Sequence, residues 1–118
     1  MQRPATKQSP SARTSEKSFI GWIKDRGICV ACSSDGGVIA HHCVGSSAKT
    51  YVGIERVMIG HWFVIGLCQS CDNIVTRGSR REFENSFGSQ SSLWLRQIEQ
   101  YNKPIPENVI EGITNYGK

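Results

Sequence analysis

Two Cys-x-x-Cys pairs bracketing a His-His pair, an aromatic and β-branched run leading into the second pair, and helical periodicity on both sides predict a small α+β domain pinned by a metal. The pairs are Cys29/Cys32 and Cys68/Cys71, and the histidines are His41 and His42. Each pair offers two thiolates to one ion, and two such knuckles complete a tetrahedral zinc shell with bonds of about 2.3 Å. A closed four-thiolate shell selects zinc or iron–sulfur chemistry and is normally structural. The imidazoles between the knuckles are then free for other work. Thirty-five residues separate Cys32 from Cys68, against roughly 15–20 in a simple zinc ribbon. That length has room for a β-hairpin carrying the histidines.

In chain order, residues 1–15 predict a disordered basic arm, being rich in Ser, Thr, Gln, Pro, Lys and Arg and almost free of apolar side chains. Ser15 is placed to cap a helix over Glu16–Arg26, with Phe19, Ile20, Trp22 and Ile23 mainly on one face and Gly27 as its stop. The first knuckle, Ile28–Cys32, is followed by a turn at Ser33–Gly37 and a strand from Val38 that delivers His41 and His42. Gly45–Lys49 reads as a polar loop, and Tyr51–Ile59 as a strand or an irregular segment. His61–Leu67 reads as a strand running into the second knuckle, with a helix starting near Gln69. Further helices are predicted around Arg80–Phe87 and over Ser92–Tyr101, broken by Gly88. Residues 16–103 thus form the domain. Pro104 and Pro106 close it, leaving residues 104–118 as a loosely held C-terminal tail.

Charge is unevenly spread. Six Lys/Arg stand against two acidic residues in positions 1–27, whereas the remainder carries eight of each sign. A basic arm of this kind attracts phosphate, although a merely solvated tail has the same composition. Five cysteines without an apolar leader favour a reducing, cytoplasmic setting and metal ligation over disulfides. Cys43 is the fifth and reads as a buried or free thiol. No apolar run approaches the roughly 20 residues of a membrane-spanning helix. Trp22, Trp62, Phe63 and Trp94 read as packing residues. Arg77, Arg80 and Arg81 form a cluster that either grips phosphate or lies on a solvated helical face.

Taken together, the order knuckle, strand with His-His, strand, knuckle, helix resembles the HNH endonucleases, the His-Me finger proteins built on a zinc-stapled ββα-metal motif. That resemblance implies that His41 binds a catalytic Mg²⁺ or Mn²⁺, that His42 is the general base activating water, and that Asp72 completes the metal site with Asn73 beside it. Hydrolysis of a phosphodiester needs a deprotonated water and stabilisation of charge growing on the phosphate, which suits an imidazole base and a hard divalent ion. Two departures stand out. Asp72 occupies a position where the family usually has histidine, which weakens or abolishes activity if the carboxylate serves poorly. The middle asparagine is also missing, with His61 the nearest polar residue. Because strand neighbours alternate faces, His41 and His42 need local backbone distortion to serve one site.

The string Gly60-His61-Trp62-Phe63-Val64-Ile65-Gly66-Leu67-Cys68, with Arg80-Arg81-Glu82-Phe83-Glu84 and Phe87-Gly88-Ser89-Gln90 after it, is similar to the phage recombination-enhancement-function (Ref) family of RecA-dependent HNH nucleases and their prophage relatives. This likeness covers roughly residues 20–100. It implies a recombination-associated endonuclease acting on single-stranded DNA or a strand-exchange intermediate made by a RecA filament. It also implies a basic arm that helps hold DNA, whose cations here are Arg3, Lys7, Arg13 and Lys17. The competing expectation keeps the zinc fold without catalysis, as a DNA- or protein-binding module.

Overall fold

The computed structural model describes residues 14–43 and 48–116, so Arg3, Lys7 and Arg13 and most of the N-terminal arm lie outside the described residues. Among the described residues nine elements follow in order: α1 (Thr14–Arg26), β1 (Ile39–His42), β2 (Lys49–Val52), β3 (Glu55–Met58), β4 (Val64–Leu67), α2 (Gln69–Arg77), α3 (Arg80–Phe87), α4 (Gln90–Ile98) and α5 (Glu107–Tyr116). The α+β class is as the sequence predicts. Among the described residues no helix is long and apolar enough to cross a membrane.

The two short sheets do not join. β1 pairs antiparallel with β4, Ile39 opposite Leu67 and His42 opposite Val64. β2 and β3 form a separate antiparallel hairpin, Lys49 opposite Met58. The histidines therefore do not sit on a hairpin of their own. Their strand pairs with one that lies beyond the whole β2–β3 insertion. The strand expected over His61–Leu67 is shorter, because the N–H groups of Trp62 and Phe63 both donate to the Ile59 carbonyl (3.0 and 2.7 Å) and fold His61–Phe63 into a turn.

β4 is buried along its whole length. One edge bonds β1; the other is satisfied by side chain and loop. Gln97 of α4 accepts from the Gly66 N–H and donates to the Val64 carbonyl, both at 2.9 Å, and the Val30 N–H donates to the Gly66 carbonyl at 2.9 Å. Gly66 has a packing reason. A Cβ there would lie 2.8 Å from Ile23 Cγ2, so α1 approaches the strand only because that position has no side chain.

The core is aromatic at its centre. Phe19 meets Trp62, Trp94 and Tyr101 at centroid separations of 5.5, 6.4 and 4.9 Å. The buried Trp94 indole donates to the Trp62 carbonyl at 2.6 Å.

Boundaries moved for identifiable reasons. α1 begins at Thr14, so Ser15 lies within it and does not precede it as a cap. α4 starts at Gln90 because the Ser89 hydroxyl accepts from the Ser92 N–H at 3.1 Å, and it ends at Ile98, short of Tyr101. The expected C-terminal tail is instead a helix. α5 buries Val109, Gly112 and Ile113 and packs on β2, β3 and α4. Pro106 does not stop structure there; its carbonyl accepts from the Val109 and Ile110 N–H groups and opens the helix.

Replacing Gln97 by Leu leaves a buried N–H and a buried carbonyl of β4 unpaired, at about 1–3 kcal/mol each. Urea denaturation of Gln97→Leu should show a loss of at least ~2 kcal/mol. An unchanged midpoint would contradict the role assigned to the carboxamide.

Candidate metal centre and histidine site

Four sulfur atoms from two distant segments converge. The Sγ atoms of Cys29, Cys32, Cys68 and Cys71 all lie within 4.8 Å of one another, and Cys32 and Cys68 are 3.7 Å apart. A tetrahedron with 2.3 Å zinc–sulfur bonds has sulfur–sulfur edges of about 3.8 Å. The four cysteines are thus placed to hold a metal ion such as zinc. Local backbone shapes each knuckle. The Cys32 N–H donates to Cys29 Sγ at 3.4 Å, the Ser33 N–H donates to the Cys29 carbonyl at 2.8 Å, and Ser33 takes a positive φ of 69°. On the other side Cys68 stands before α2 and Cys71 is buried in its first turn, where the Asp72 N–H donates to the Cys68 carbonyl at 2.9 Å.

The sulfurs differ in electrostatics. Hydrogen bonds from the Ser34 side chain and backbone pull Cys32 down to about 6. The Cys71 backbone lowers Cys68. Burial, reinforced by the neighbouring sulfurs, drives Cys71 upward. Four thiolates at contact distance repel one another, and a bound divalent cation is what relieves that repulsion. Cys43 is no part of this cluster; burial, with a smaller contribution from the nearby Glu84, pushes its thiol well above its ordinary value.

Asp72, the residue after Cys71, points at β1. His41 Nδ1 lies 3.2 Å from Asp72 Oδ1, with only 12% and 16% of the two side chains exposed. That separation is within hydrogen-bonding reach, so the imidazole and the carboxylate form a paired contact between β1 and the first turn of α2. Asn73, the other helix candidate, is engaged elsewhere: its Oδ1 accepts from Gln69 Nε2 at 3.0 Å.

His42 takes the other direction. β1 stays in regular register with β4 through His42, and the Cys43 N–H continues the ladder to the Phe63 carbonyl at 2.9 Å. The distortion expected to bring both imidazoles to one site is absent from this strand, and successive residues address opposite faces. The His42 ring packs edge-on against His61 with centroids 5.5 Å apart, and its Nε2 is buried without a hydrogen-bond partner. Burial, then the nearby His61 and His41, holds its pKa below 6.5, so the ring is neutral at physiological pH. His61 therefore meets His42 from the turn before β4 and not from within the strand.

Lys17, Arg77, Arg80 and Arg81 are exposed, and Arg80 Nε lies 3.5 Å from Glu84 Oε2. Four residues that position the centre escaped the sequence reading. Ser34 tunes Cys32, Gly66 admits α1, Gln97 holds β4, and Arg96 of α4 donates to the Val30 carbonyl within the first knuckle. Gln97 had a detectable signal, a polar residue one turn after Leu93 and Trp94 on a buried helix face.

A family model described as protein of unknown function (DUF968) matches residues 1–102. No curated protein and no solved structure matches the chain.

Purified protein should carry one tightly held zinc per chain by elemental analysis. Cys71→Ser should abolish it and remove cooperative thermal unfolding, since structural zinc sites contribute on the order of 10 kcal/mol to folding. A chain equally stable with and without a strong chelator would rule out a structural ion here.

Proposed function

For this chain, which belongs to the DUF968 family of proteins of unknown function, we propose a metal-dependent DNA endonuclease of the HNH type. The observation that carries the reading is the meeting of His41 and Asp72 at 3.2 Å, directly beside the four-sulfur cluster. β1, β4 and α2 supply the strand–strand–helix order that a ββα-metal site requires, with the sulfur cluster tying the start of α2 to the first knuckle. The sequence resemblance to the Ref-like nucleases supports the choice of DNA as substrate and of RecA as the partner to test.

In this reading His41 and Asp72 hold Mg²⁺ or Mn²⁺. That ion, when bound, supplies Lewis-acid stabilisation of charge on the scissile phosphate. His42 is the general base: burial keeps it neutral, and a neutral imidazole accepts the proton of the attacking water. A buried polar nitrogen without a partner is costly, and its presence at His42 Nε2 fits a group kept for chemistry and not for packing. The exposed Lys17, Arg77 and Arg81 are available to phosphates. The sulfur cluster, with zinc, has no part in the reaction; it sets where Asp72 stands.

One observation favours a second reading, a zinc-containing DNA- or protein-binding module without catalysis. The regular β1 turns His42 away from the His41–Asp72 pair. The two readings separate in a cleavage assay on single-stranded and plasmid DNA with Mg²⁺ or Mn²⁺, run with and without RecA and ATP. The nuclease reading expects His42→Ala to lower the rate by about 10²–10⁴-fold and Asp72→Ala to weaken metal dependence. Cleavage that is absent throughout, or undiminished in His42→Ala, favours the module.

The pH dependence has a definite sign. Desolvation disfavours the imidazolium, so the base persists to lower pH than in a free histidine. The acid limb of kcat/KM should have its midpoint below 6.5, the ordinary value for this group. A midpoint above that value would assign the base to some other residue.

A further inference from the structure

The β2–β3 hairpin takes no part in the sulfur cluster or the histidine site, yet its outer face has a composition of its own. Its cross-strand pairs are Lys49–Met58, Thr50–Val57, Tyr51–Arg56 and Val52–Glu55. Alternation gives the strands two faces. Thr50, Val52 and Val57 turn toward α5, where a Cβ on Gly112 would lie 2.7 Å from Thr50 Cγ2. Lys49, Tyr51 and Arg56 occupy the opposite face, and all three are exposed.

The hairpin's one acidic residue is withdrawn from that face. Glu55 shares the α5 side with Val52, and its Oε2 accepts from Asn108 Nδ2 of α5 at 3.0 Å. The outer strands therefore carry two cations flanking an aromatic ring, with no compensating carboxylate.

At the tip the two-residue turn Gly53-Ile54 places an isoleucine that is 100% exposed, beside a Tyr51 that is 62% exposed. Gly53 supplies the positive φ of 64° that such a turn needs. Nothing in the turn requires a β-branched apolar residue at the next position, where polar residues are usual. A single exposed aliphatic side chain is ordinary by itself. At the end of a basic ribbon it has the form of a wedge.

We propose that the β2–β3 hairpin is a duplex-DNA-binding ribbon, with Lys49 and Arg56 on phosphates and Ile54 entering the groove as an apolar wedge. The inference rests on the DNA reading above for its choice of polyanion. A two-stranded ribbon is of a size that DNA grooves admit, and apolar residues flanked by Arg and Lys are a known means of parting base steps. The hairpin's packing on α5 fixes the ribbon to the domain.

The test is fluorescence anisotropy of a short labelled duplex against the full chain across a salt series. Each phosphate contact contributes a slope of about 0.9 in log affinity against log salt, or roughly eightfold in about 0.1 M salt. Lys49→Gln/Arg56→Gln should weaken binding about 60-fold there and lower the slope by about 1.8. Ile54→Ser should weaken binding with the slope unchanged. These positions are exposed, so melting curves should superimpose on that of the original chain. Should the double variant melt early, the single variants carry the test at about eightfold each. Original and variant chains binding with equal affinity and slope would overturn the proposal, as would an original chain that does not bind duplex. A dimer by light scattering that the variants dissolve would also overturn it, by giving the face to a second copy. Cleavage measured on the same preparations keeps the two proposals apart. Hairpin-dependent binding by a chain that cuts nothing retains the ribbon and rejects the nuclease; cleavage with hairpin-independent binding does the reverse.

Discussion

Mutual repulsion among four sulfur atoms is the constraint on which the rest of this molecule turns. The chain brings Cys29 and Cys32 from a loop after α1 against Cys68 and Cys71 from the start of α2, closer than ionised thiolates tolerate without a cation between them. A cation bound among the four sulfurs would hold the ends of the long intervening segment together. β1 can then pair with β4 although a complete hairpin separates them in sequence. The start of α2 is held at a set angle to β1, which decides that the residue after Cys71 meets a histidine. A small domain with few large side chains to spare gains from such a staple.

The histidine pair is built on an ordinary property of strands. Regular pairing of β1 sends His41 toward α2 and His42 toward the turn before β4. One imidazole is matched with a carboxylate; the other is kept neutral by its surroundings. Two imidazoles adjacent in sequence thus meet different surroundings on opposite sides of the strand, with no unusual backbone.

What could be read from the sequence, and what could not, follows from the range of each signal. The Cys-x-x-Cys spacing is local chemistry, and it identified all four sulfurs of the cluster. Asp72 was singled out by the resemblance to the HNH endonucleases, from its place directly after Cys71, and it is Asp72, not Asn73, that meets His41. α1 was legible from its apolar face and the Gly27 stop, α2 from the second knuckle that starts it, and α3 from its breaks at Gly78-Ser79 and Gly88, all of them local signals. The pairing of β1 with β4 was not, since the two strands are separated by the whole β2–β3 hairpin and partner choice over that distance leaves no local signal. α5 was lost for another reason. Val109, Ile110 and Ile113 carry a helical pattern, but two prolines just before them suggested an ending, and Pro106 instead begins the helix. The clamp by Gln97 depends on tertiary contact alone, so only the anomaly of an amide on a buried helix face hinted at it.

That clamp has a consequence for how the chain is made. Before α4 docks, β4 offers an apolar, hydrogen-bond-hungry border to any neighbouring polypeptide, including another nascent copy of itself. The carboxamide at Gln97 arrives about thirty residues after the strand leaves the ribosome. Fragments ending between α3 and α4 should accordingly be far more prone to form insoluble, sheet-joined aggregates than the intact polypeptide.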